Sequence, residues 1–352
     1  MKLRVRAAFG NAGLSLVEIM VGLAVGMIAS LVIMQIFGAF ITQQRTTVGT
    51  ADAQTSGGVA LYLLQREVQM AGYGLPVFDT ANPALLCNTA TDSSTGNTID
   101  IWPITIVDGG AAAGSSDQIV IHYGDAQTGG SYKTNITYSG SSLNAYNTYF
   151  RPFMYASGPN NCPATMGDCP IVHSLLHMSG AGCTLHPITT GDNIAVTTMN
   201  SLAYLGAWTT ATFAVTNNRL TRNTIEVAAN IVNVQAQYGI SATASSNVVT
   251  QWVDATGGTW AAPTVNNRNR IKAVRVAVVA RSDKPEGGTV TTACNSLTAA
   301  APTGLCAWEG SVASPAPAID LSNNADWQRY RYRVFETIIP LRNVIWSRNT
   351  LP

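Results

Sequence analysis

Charged residues are scarce in this chain of 352 residues. Asp, Glu, Lys and Arg together make up 11% of the sequence, and the formal net charge is +1. The chain therefore lacks the strong basic field that would hold a nucleic-acid backbone, and no nucleic acid is expected as a partner. Intrinsic disorder is also excluded, because 46% of the residues are hydrophobic and such a chain can bury a core.

Motifs of common enzymes are missing as well. The chain contains no Gly-x-x-x-x-Gly-Lys phosphate loop, no Gly-x-Ser-x-Gly elbow and no His-Glu-x-x-His motif. One cluster mixes metal-ligating residue types at an unusual Cys-x6-Cys-x3-His-x3-His spacing, and it comprises Cys162, Cys169, His173 and His177, followed by Cys183 and His186. Disulfides and ordinary histidines are the favoured interpretation. We therefore expect no enzyme, no metal and no cofactor.

Small basic groups occur at two places: Arg268, Arg270 and Lys272, and then Arg329, Arg331 and Arg333. A DNA-contacting patch is one hypothesis for them. The favoured interpretation is that these side chains face solvent or pair with Asp326 and Glu336.

A long apolar run lies near the N-terminus, from Ile19 to Ile41, with Ser30 and Gln35 as its more polar members. As a helix these residues reach roughly 34 Å, enough to cross a hydrocarbon core of about 30 Å. The preceding residues carry three positive charges and no negative one: Lys2, Arg4 and Arg6. This asymmetry predicts a cytoplasmic N-terminus and an exported C-terminal body. Removing those three charges would leave −2 on the rest of the chain.

A cleaved secretory signal is the main alternative for this run. Its apolar core would span about 7–15 residues and end at a small-residue cleavage site. The observed run is longer and carries Glu18 at its start. A plain single-span anchor is also possible, but it explains neither Gly13 nor Glu18.

The residues around the start of the run resemble the class III signal of type IV prepilins. A short basic leader ends at Gly13, hydrophobic Leu14 follows, and Glu18 comes four residues later. The resemblance implies that a prepilin peptidase cleaves after Gly13 and methylates Leu14, where the family usually has phenylalanine. It also implies that Glu18 pairs with the N-terminal amine of a neighbouring subunit during assembly, which would offset the cost of burying both charges.

Six cysteines lie beyond the apolar run: Cys87, Cys162, Cys169, Cys183, Cys294 and Cys306. An even number in an oxidising compartment predicts disulfides, with 15 possible pairings. Cys294 and Cys306 are the favoured pair, because they bracket a soft loop with no other cysteine nearby. The other four are expected to pair among Cys162, Cys169 and Cys183, with one link back to Cys87.

The helix is predicted to continue as an amphipathic segment over residues 42–73. Helical spacing assigns one apolar face to Val59, Tyr62, Leu63, the stem of Arg66, and Met70. Three glycines interrupt the segment and predict a bend or a locally melted turn: Gly49, Gly57 and Gly58. Gly72 and Gly74 are expected to end the helix.

Beyond Pro76 the pattern predicts a β-rich domain over residues 74–352. Alternating or β-branched runs predict strands at 99–106, 118–123, 193–197, 212–216, 271–281 and 330–339. Residues 225–238 suit either element, and we interpret them as a short helix feeding a strand that ends at Gly239. Residues 107–117 and 282–318 are predicted to be soft, polar loops.

Four blocks along the chain, together with Leu14 to Met20, resemble the PilW-type minor pilins of type IV pili: residues 61–74, 234–239, 272–276 and 330–343. The resemblance implies a pilin-like α+β fold, with a long N-terminal transmembrane and amphipathic helix packed on an antiparallel β-sheet carrying large loop insertions. The implied organisation is a leader (1–13), a transmembrane and assembly helix (14–41), its amphipathic continuation (42–73) and the exported domain.

The same resemblance implies a structural role in initiating pilus assembly, at or near the tip, with consequences for adhesion and twitching motility. Implied partners are other minor pilins, the major pilin, a tip adhesin, the prepilin peptidase and the inner-membrane assembly platform. The chain would first span the inner membrane, within the lipid bilayer and with its C-terminal domain in the periplasm, and then enter the pilus at the cell surface.

Two alternatives remain open from the sequence. A minor pseudopilin of a type II secretion system would share the N-terminal signal. A membrane-anchored exported enzyme or adhesin that never assembles would show no processing at Gly13 and would tolerate the loss of Glu18.

Overall fold

The computed structural model describes residues 15–75, 89–124, 132–136, 142–144, 173–179, 182–188, 193–195 and 200–346. A long N-terminal helix and several antiparallel sheets give the α+β fold that the sequence predicts. The predicted cleavage-site residues Gly13 and Leu14 lie outside the described ranges, as do the basic residues Lys2, Arg4 and Arg6. Three cysteines also lie outside them: Cys87, Cys162 and Cys169.

Helix α1 is one unbroken element, Leu16–Met70, of 55 residues. The bend predicted at Gly49, Gly57 and Gly58 is therefore wrong. Gly49 and Gly57 make close contacts with the domain. These contacts offset the entropic cost of placing glycine in a helix. Gly72 and Gly74 follow the helix with φ of +75° and +76°, as expected for residues that end it.

The described strands are, in chain order, β1 (Thr89–Asp92), β2 (Thr98–Asp100), β3 (Ile104–Val107), β4 (Gln118–Tyr123), β5 (Tyr132–Ile136), β6 (Ser142–Asn144), β7 (His173–Ser179), β8 (Gly182–Ile188), β9 (Asn193–Ala195), β10 (Asn200–Ala207), β11 (Thr209–Thr216), β12 (Arg219–Arg222), β13 (Ile225–Ala229), β14 (Ile231–Ser241), β15 (Val249–Asp254), β16 (Ile271–Arg281) and β17 (Tyr332–Pro340). The short helices are α2 (Gly257–Trp260), α3 (Val265–Arg268) and α4 (Arg342–Trp346).

These strands form four sheets within the described residues. The largest has the order β2-β1-β8-β7-β10-β5, the second β13-β12-β11-β4-β3 and the third β15-β14-β16-β17, while β6 pairs with β9. In the largest sheet, strands β1 and β8 run parallel. In the second and third sheets, all neighbouring strands run antiparallel.

The strongest strand predictions are confirmed. Strand β16 has the predicted bounds 271–281, and β4 has the predicted bounds 118–123. The run 99–106 divides into β2 and β3 around Pro103, which has no N–H to donate to a ladder. Strand β9 covers Asn193–Ala195 of the predicted run 193–197, whose last two residues lie outside the described ranges. Strand β11 begins earlier than predicted, at Thr209, and β17 begins at Tyr332 and includes Pro340.

The helix predicted near residue 225 is wrong. Residues 225–229 form β13 and residues 231–241 form β14, and Asn230 separates them with a φ of +58°. Ile225, Ala228 and Ala229 have helical spacing, but β13 pairs with β12, and β14 pairs with β15 and β16, so cross-strand pairing decides the structure of this segment.

The two long central strands, β14 and β16, are buried on both faces. One face joins a core that includes Leu64 and Val68 of α1. The other face packs beneath loop residues that include Leu305, Trp308 and Ile319. The segment 282–318 is a loop, as predicted, but it is not merely soft and polar, because its apolar side chains cover the sheet.

The predicted apolar face of the inner helix is also wrong. Val59 is 45% exposed and Tyr62 is 64% exposed, whereas the buried positions carry smaller or differently placed side chains: Ala53, Ala60, Leu64, Val68 and Ala71. The predicted face follows the large residues Val59, Tyr62 and Met70, but the contact is made by Leu64, Val68 and these three alanines.

Candidate functional site

The candidate functional site is helix α1 together with the sheet that holds it. Its outer segment, defined here as residues 15–41, is exposed at every position. One helix in the described part of the chain is long and apolar enough to cross a membrane, and it is α1, with a mean hydropathy of 2.4 over its most apolar 18 residues. None of those residues is buried by the domain.

Glu18 lies in the first turn of this outer segment and is exposed. Its backbone N–H donates to the carbonyl of Ser15 at 2.9 Å, which begins the helix. A carboxylate in the first turn interacts favourably with the positive end of the helix dipole. The structure thus places one acidic group at the start of an otherwise apolar surface, four positions after the predicted cleavage site.

The helix first meets the domain near Thr46. The Thr46 hydroxyl donates to Glu286 Oε1 at 2.9 Å, and Arg331 Nε donates to the same oxygen at 2.9 Å. The bond from Arg331 lowers the pKa of Glu286. At Gly49 an added Cβ would lie 3.2 Å from Ser282 Cβ, so the helix runs close to the segment after β16.

The inner segment of the helix, defined as residues 46–71, packs on β16, β17 and β13. The closest approach is at Gly57, where an added Cβ would lie 2.1 Å from the ring of Phe335 on β17. Phe335 therefore occupies the space of the missing side chain, and the helix can lie directly on the sheet.

A polar network fastens the inner segment to the second sheet. Arg222 Nε on β12 donates to Glu67 Oε1 at 3.0 Å, and the Tyr123 hydroxyl on β4 donates to Glu67 Oε2 at 2.9 Å. Burial, followed by the bond to Glu67, raises the pKa of Tyr123. Glu67 lies outside the predicted apolar face, but it links the helix to the second sheet.

The end of the helix is held by the C-terminal block of the domain. Asn343 Nδ2 donates to the Ala71 carbonyl at 3.0 Å and to the Gln69 carbonyl at 3.3 Å. The Gly72 N–H donates to the His122 carbonyl at 2.9 Å. These bonds satisfy carbonyl and amide groups that a helix end leaves without partners.

A buried cation lies on the far side of the central sheet. Arg275 Nε on β16 donates to Gln237 Oε1 on β14 at 2.9 Å, and Gln237 Nε2 donates to Asp254 Oδ1 at 2.6 Å. The guanidinium lies 5.0 Å from the Trp252 ring centre and 4.2 Å from that of Trp308. Burial lowers the pKa of Arg275 to about 10, so the side chain still carries its charge at neutral pH.

The arrangement around Arg275 explains two of the blocks quoted from the sequence. Gln237 lies in block 234–239 and Arg275 in block 272–276, and the pairing of β14 with β16 brings them together opposite one another. Sequence reasoning did not single out Arg275. The available signal was one cation in the centre of an apolar strand.

The disulfide between Cys294 and Cys306 staples the loop that supplies Trp308. This is the pair that the sequence favours. Cys183 is disulfide-bonded as well. The proposed metal-ligand cluster includes residues beyond the described ranges, and within those ranges no group of three or more His, Cys, Asp and Glu side chains is arranged to hold a metal ion.

The two basic groups are engaged in internal contacts. Arg268 donates to Asp100 at 2.9 Å, and buried Lys272 donates to the Ala244 carbonyl at 3.1 Å. Arg329 pairs with Asp326 at 3.1 Å, as the favoured interpretation expects, whereas Arg331 pairs with Glu286 instead of Glu336.

Residues 205–343 match the family model of type IV pilus-assembly protein W, PilW. The resemblance to PilW is thus confirmed over about two fifths of the chain, which we call the PilW region. No curated protein and no solved structure matches this chain.

The PilW region begins at the end of β10 and ends in α4, so it contains the whole central sheet and the loop that covers it. Three of the quoted blocks lie inside it, while block 61–74 and the N-terminal signal lie outside it. The match connects this chain to type IV pilus assembly and to other pilus components in general, and a membrane-anchored protein fits both the match and the outer segment of α1.

Proposed function

We propose that this chain is a structural minor pilin of type IV pili. It is inserted in the inner membrane with its C-terminal domain in the periplasm, cleaved after Gly13, methylated at Leu14 and then incorporated into the filament. The observation that carries the proposal is the exposed, apolar outer segment of α1, joined without a break to a domain that contains the PilW region.

An apolar helix surface of this length is stable only in an apolar environment, because exposing it to water is unfavourable. The bilayer provides that environment before assembly, and the apolar helices of neighbouring pilins provide it afterwards. Transfer from one to the other exchanges similar environments, so the domain does not need to refold when the subunit enters a filament.

Glu18 is the residue proposed to guide this transfer. Its carboxylate lies at the start of the apolar surface and would pair with the methylated amine of a neighbouring subunit. Among apolar neighbours, one complementary charge pair fixes the register between two helices that could otherwise slide.

The finer role follows from the resemblance to PilW-type minor pilins. We propose that the chain primes assembly together with other minor pilins, on the inner-membrane platform, and that it lies at or near the tip with an adhesin and above the major pilin. Large loops on the domain, including the disulfide-stapled one, are a suitable surface for such neighbours.

The decisive experiment is to determine the N-terminal residue and its mass in membranes of cells with and without the prepilin peptidase. The proposal expects a chain that starts at N-methylated Leu14 only when the peptidase is present. A chain that still starts at Met1, or one that is cut well after Ile41, would overturn it.

Deleting the gene then distinguishes a function in pilus assembly from a function in protein secretion. Loss of surface pili with normal enzyme secretion is the expected result for a minor pilin. Normal pili together with lost secretion would assign the chain to a type II secretion system as a pseudopilin.

A further inference from the structure

A polar cleft of about 240 Å³ lies at the end of β16, and none of the described residues in its wall belongs to helix α1. Its wall includes Arg281 from β16, Tyr332 from β17, and residues of three loops: Gly114, Asn218, Asn323 and Asn324. The loops meet there because the Gly114 N–H donates to the Asp320 carbonyl at 2.7 Å. Backbone contacts thus hold the walls of the cleft together.

Among the described residues, Arg281 is the only charged one in the wall of this cleft. Its guanidinium carbon lies 4.4 Å from the ring centre of Tyr330, which covers one face of the cation. The Nε atom is buried, and within the described ranges it has no hydrogen-bond acceptor. The described residues also supply no carboxylate within ion-pair distance of Arg281.

An arginine in the wall of a cleft, without a carboxylate partner among the described residues, favours an anionic ligand in that cleft. The other arginines nearby are different: Arg329 pairs with Asp326 and Arg331 with Glu286. An arginine held against an aromatic ring is well suited to bind a carboxylate through two parallel hydrogen bonds.

The remaining polar groups in the wall are neutral. Asparagine side chains both donate and accept hydrogen bonds, as a hydroxyl-bearing ligand requires. Burial raises the pKa of Tyr332 to about 12, so its hydroxyl stays protonated at neutral pH. One positive charge among neutral groups suits a monovalent carboxylate better than a doubly charged phosphate.

We propose that this cleft binds a small organic acid whose carboxylate is flanked by hydroxyl groups, the chemistry of a uronic acid. In this site Arg281 binds the carboxylate, and the asparagine amides and the Tyr332 hydroxyl bind the ligand's hydroxyls. The volume lies just below the range of about 300–1,000 Å³ that is typical of pockets for drug-sized ligands, so a single sugar fits. The proposal does not depend on the role in the pilus.

The test is titration calorimetry of the full-length protein in detergent with glucuronate, with glucose and sodium sulfate as comparison ligands. The proposal expects glucuronate to bind at millimolar concentration, more tightly than sulfate and at least tenfold more tightly than glucose. Arg281→Gln should weaken glucuronate binding at least tenfold.

Arg333→Gln is the matched control, because this substitution removes the same charge as Arg281→Gln. Arg333 is exposed on the neighbouring strand β17, where it lies opposite Ala280. The control should leave binding unchanged. Asn323→Ala, at an exposed position in the wall, should weaken binding of glucuronate without affecting folding, so the proposal remains testable if Arg281→Gln unfolds.

Three results would overturn the proposal. The first is no heat of binding with glucuronate at millimolar concentration. The second is equal weakening in Arg281→Gln and Arg333→Gln, which would indicate a general charge effect. The third is equal affinity for sulfate and glucuronate, which would indicate an unspecific anion site.

Discussion

The outer and inner segments of α1 belong to one helix but meet opposite environments. Residues 15–41 are exposed throughout and are apolar or small except for Ser15, Glu18, Ser30 and Gln35. The inner segment instead buries a narrow stripe that includes Ala53, Gly57 and Leu64. The outer segment uses large apolar side chains, and the inner one uses small residues at the points of closest contact.

This difference teaches that side-chain size, rather than hydrophobicity, distinguishes the two roles. A helix that must lie close to a sheet needs small residues where the backbones approach. A helix that will be surrounded by lipid or by other helices needs a continuous apolar surface and no fixed partner within its own chain. Four predictions test that division.

The largest effect is expected at Leu64, which is fully buried in the core between helix and sheet. Leu64→Ala should lower the free energy of unfolding by about 2–5 kcal/mol, because it removes apolar contacts and leaves a cavity. Urea unfolding of the purified protein in detergent measures this. Tyr62→Ala is the control, since Tyr62 is 64% exposed, and it should change stability by less than about 0.5 kcal/mol. Similar losses in both variants would contradict the assigned faces.

The next effect is expected at Glu67. Its side chain is 19% exposed and that of Arg222 is 32% exposed, so the pair is partly desolvated. Glu67→Gln should lower the free energy of unfolding by about 1–3 kcal/mol, between the values for exposed and buried pairs. A double-mutant cycle with Arg222→Gln isolates the coupling between the two side chains.

The matched control for Glu67 is Glu226→Gln in the exposed pair with Arg219, whose side chain is 56% exposed. Its effect should stay below about 0.5 kcal/mol. If the two glutamates gave the same small effect, Glu67 would not fasten the helix to the second sheet.

A smaller effect, with a change of sign, is expected at two adjacent glycines. Gly57→Ala should be destabilising by about 1–2 kcal/mol, because its Cβ would meet the Phe335 ring. Gly58→Ala should instead be stabilising by up to about 1 kcal/mol, because an added Cβ meets nothing within 4 Å and alanine favours the helix. Thermal unfolding of the two variants side by side gives the comparison, and shifts of the same sign would refute it.

The smallest effect on stability is expected at Glu18. Glu18→Gln should change the free energy of unfolding by less than about 0.5 kcal/mol, since this exposed side chain belongs to the outer segment. The same variant should nevertheless enter pili poorly, as measured by immunoblotting of sheared filaments. A large loss of stability would mean that the outer segment contributes to the folded domain.

Much of the fold could be predicted from the sequence where local pattern and tertiary role agree. Strand β16 is a nearly continuous apolar run rich in valine, so its bounds were predicted correctly. The long apolar run near the N-terminus likewise marked the outer segment of α1. The favoured cysteine pair lies across one short loop, where few alternatives exist.

The failures have a common physical cause, which is that packing between distant segments decided the outcome. Gly57 indicates a weak point when the helix is considered alone, but it is a contact point once Phe335 lies against it. Ile225 and Ala228 have helical spacing, yet β12 pairs with them as a strand. Glu67 and Arg275 acquire partners on other strands, which no local pattern reveals.

The absence of a break in α1 has a mechanical consequence. Its 55 residues form a rod of roughly 82 Å, so a pull on the outer segment reaches the domain without first straightening a hinge. The load would act along the helix axis, parallel to its interface with the sheet, and would shear many contacts together, including the Gly57–Phe335 contact and the Glu67 network. Because these contacts must fail together rather than one after another, the inner segment acts as an anchor for tension along the helix.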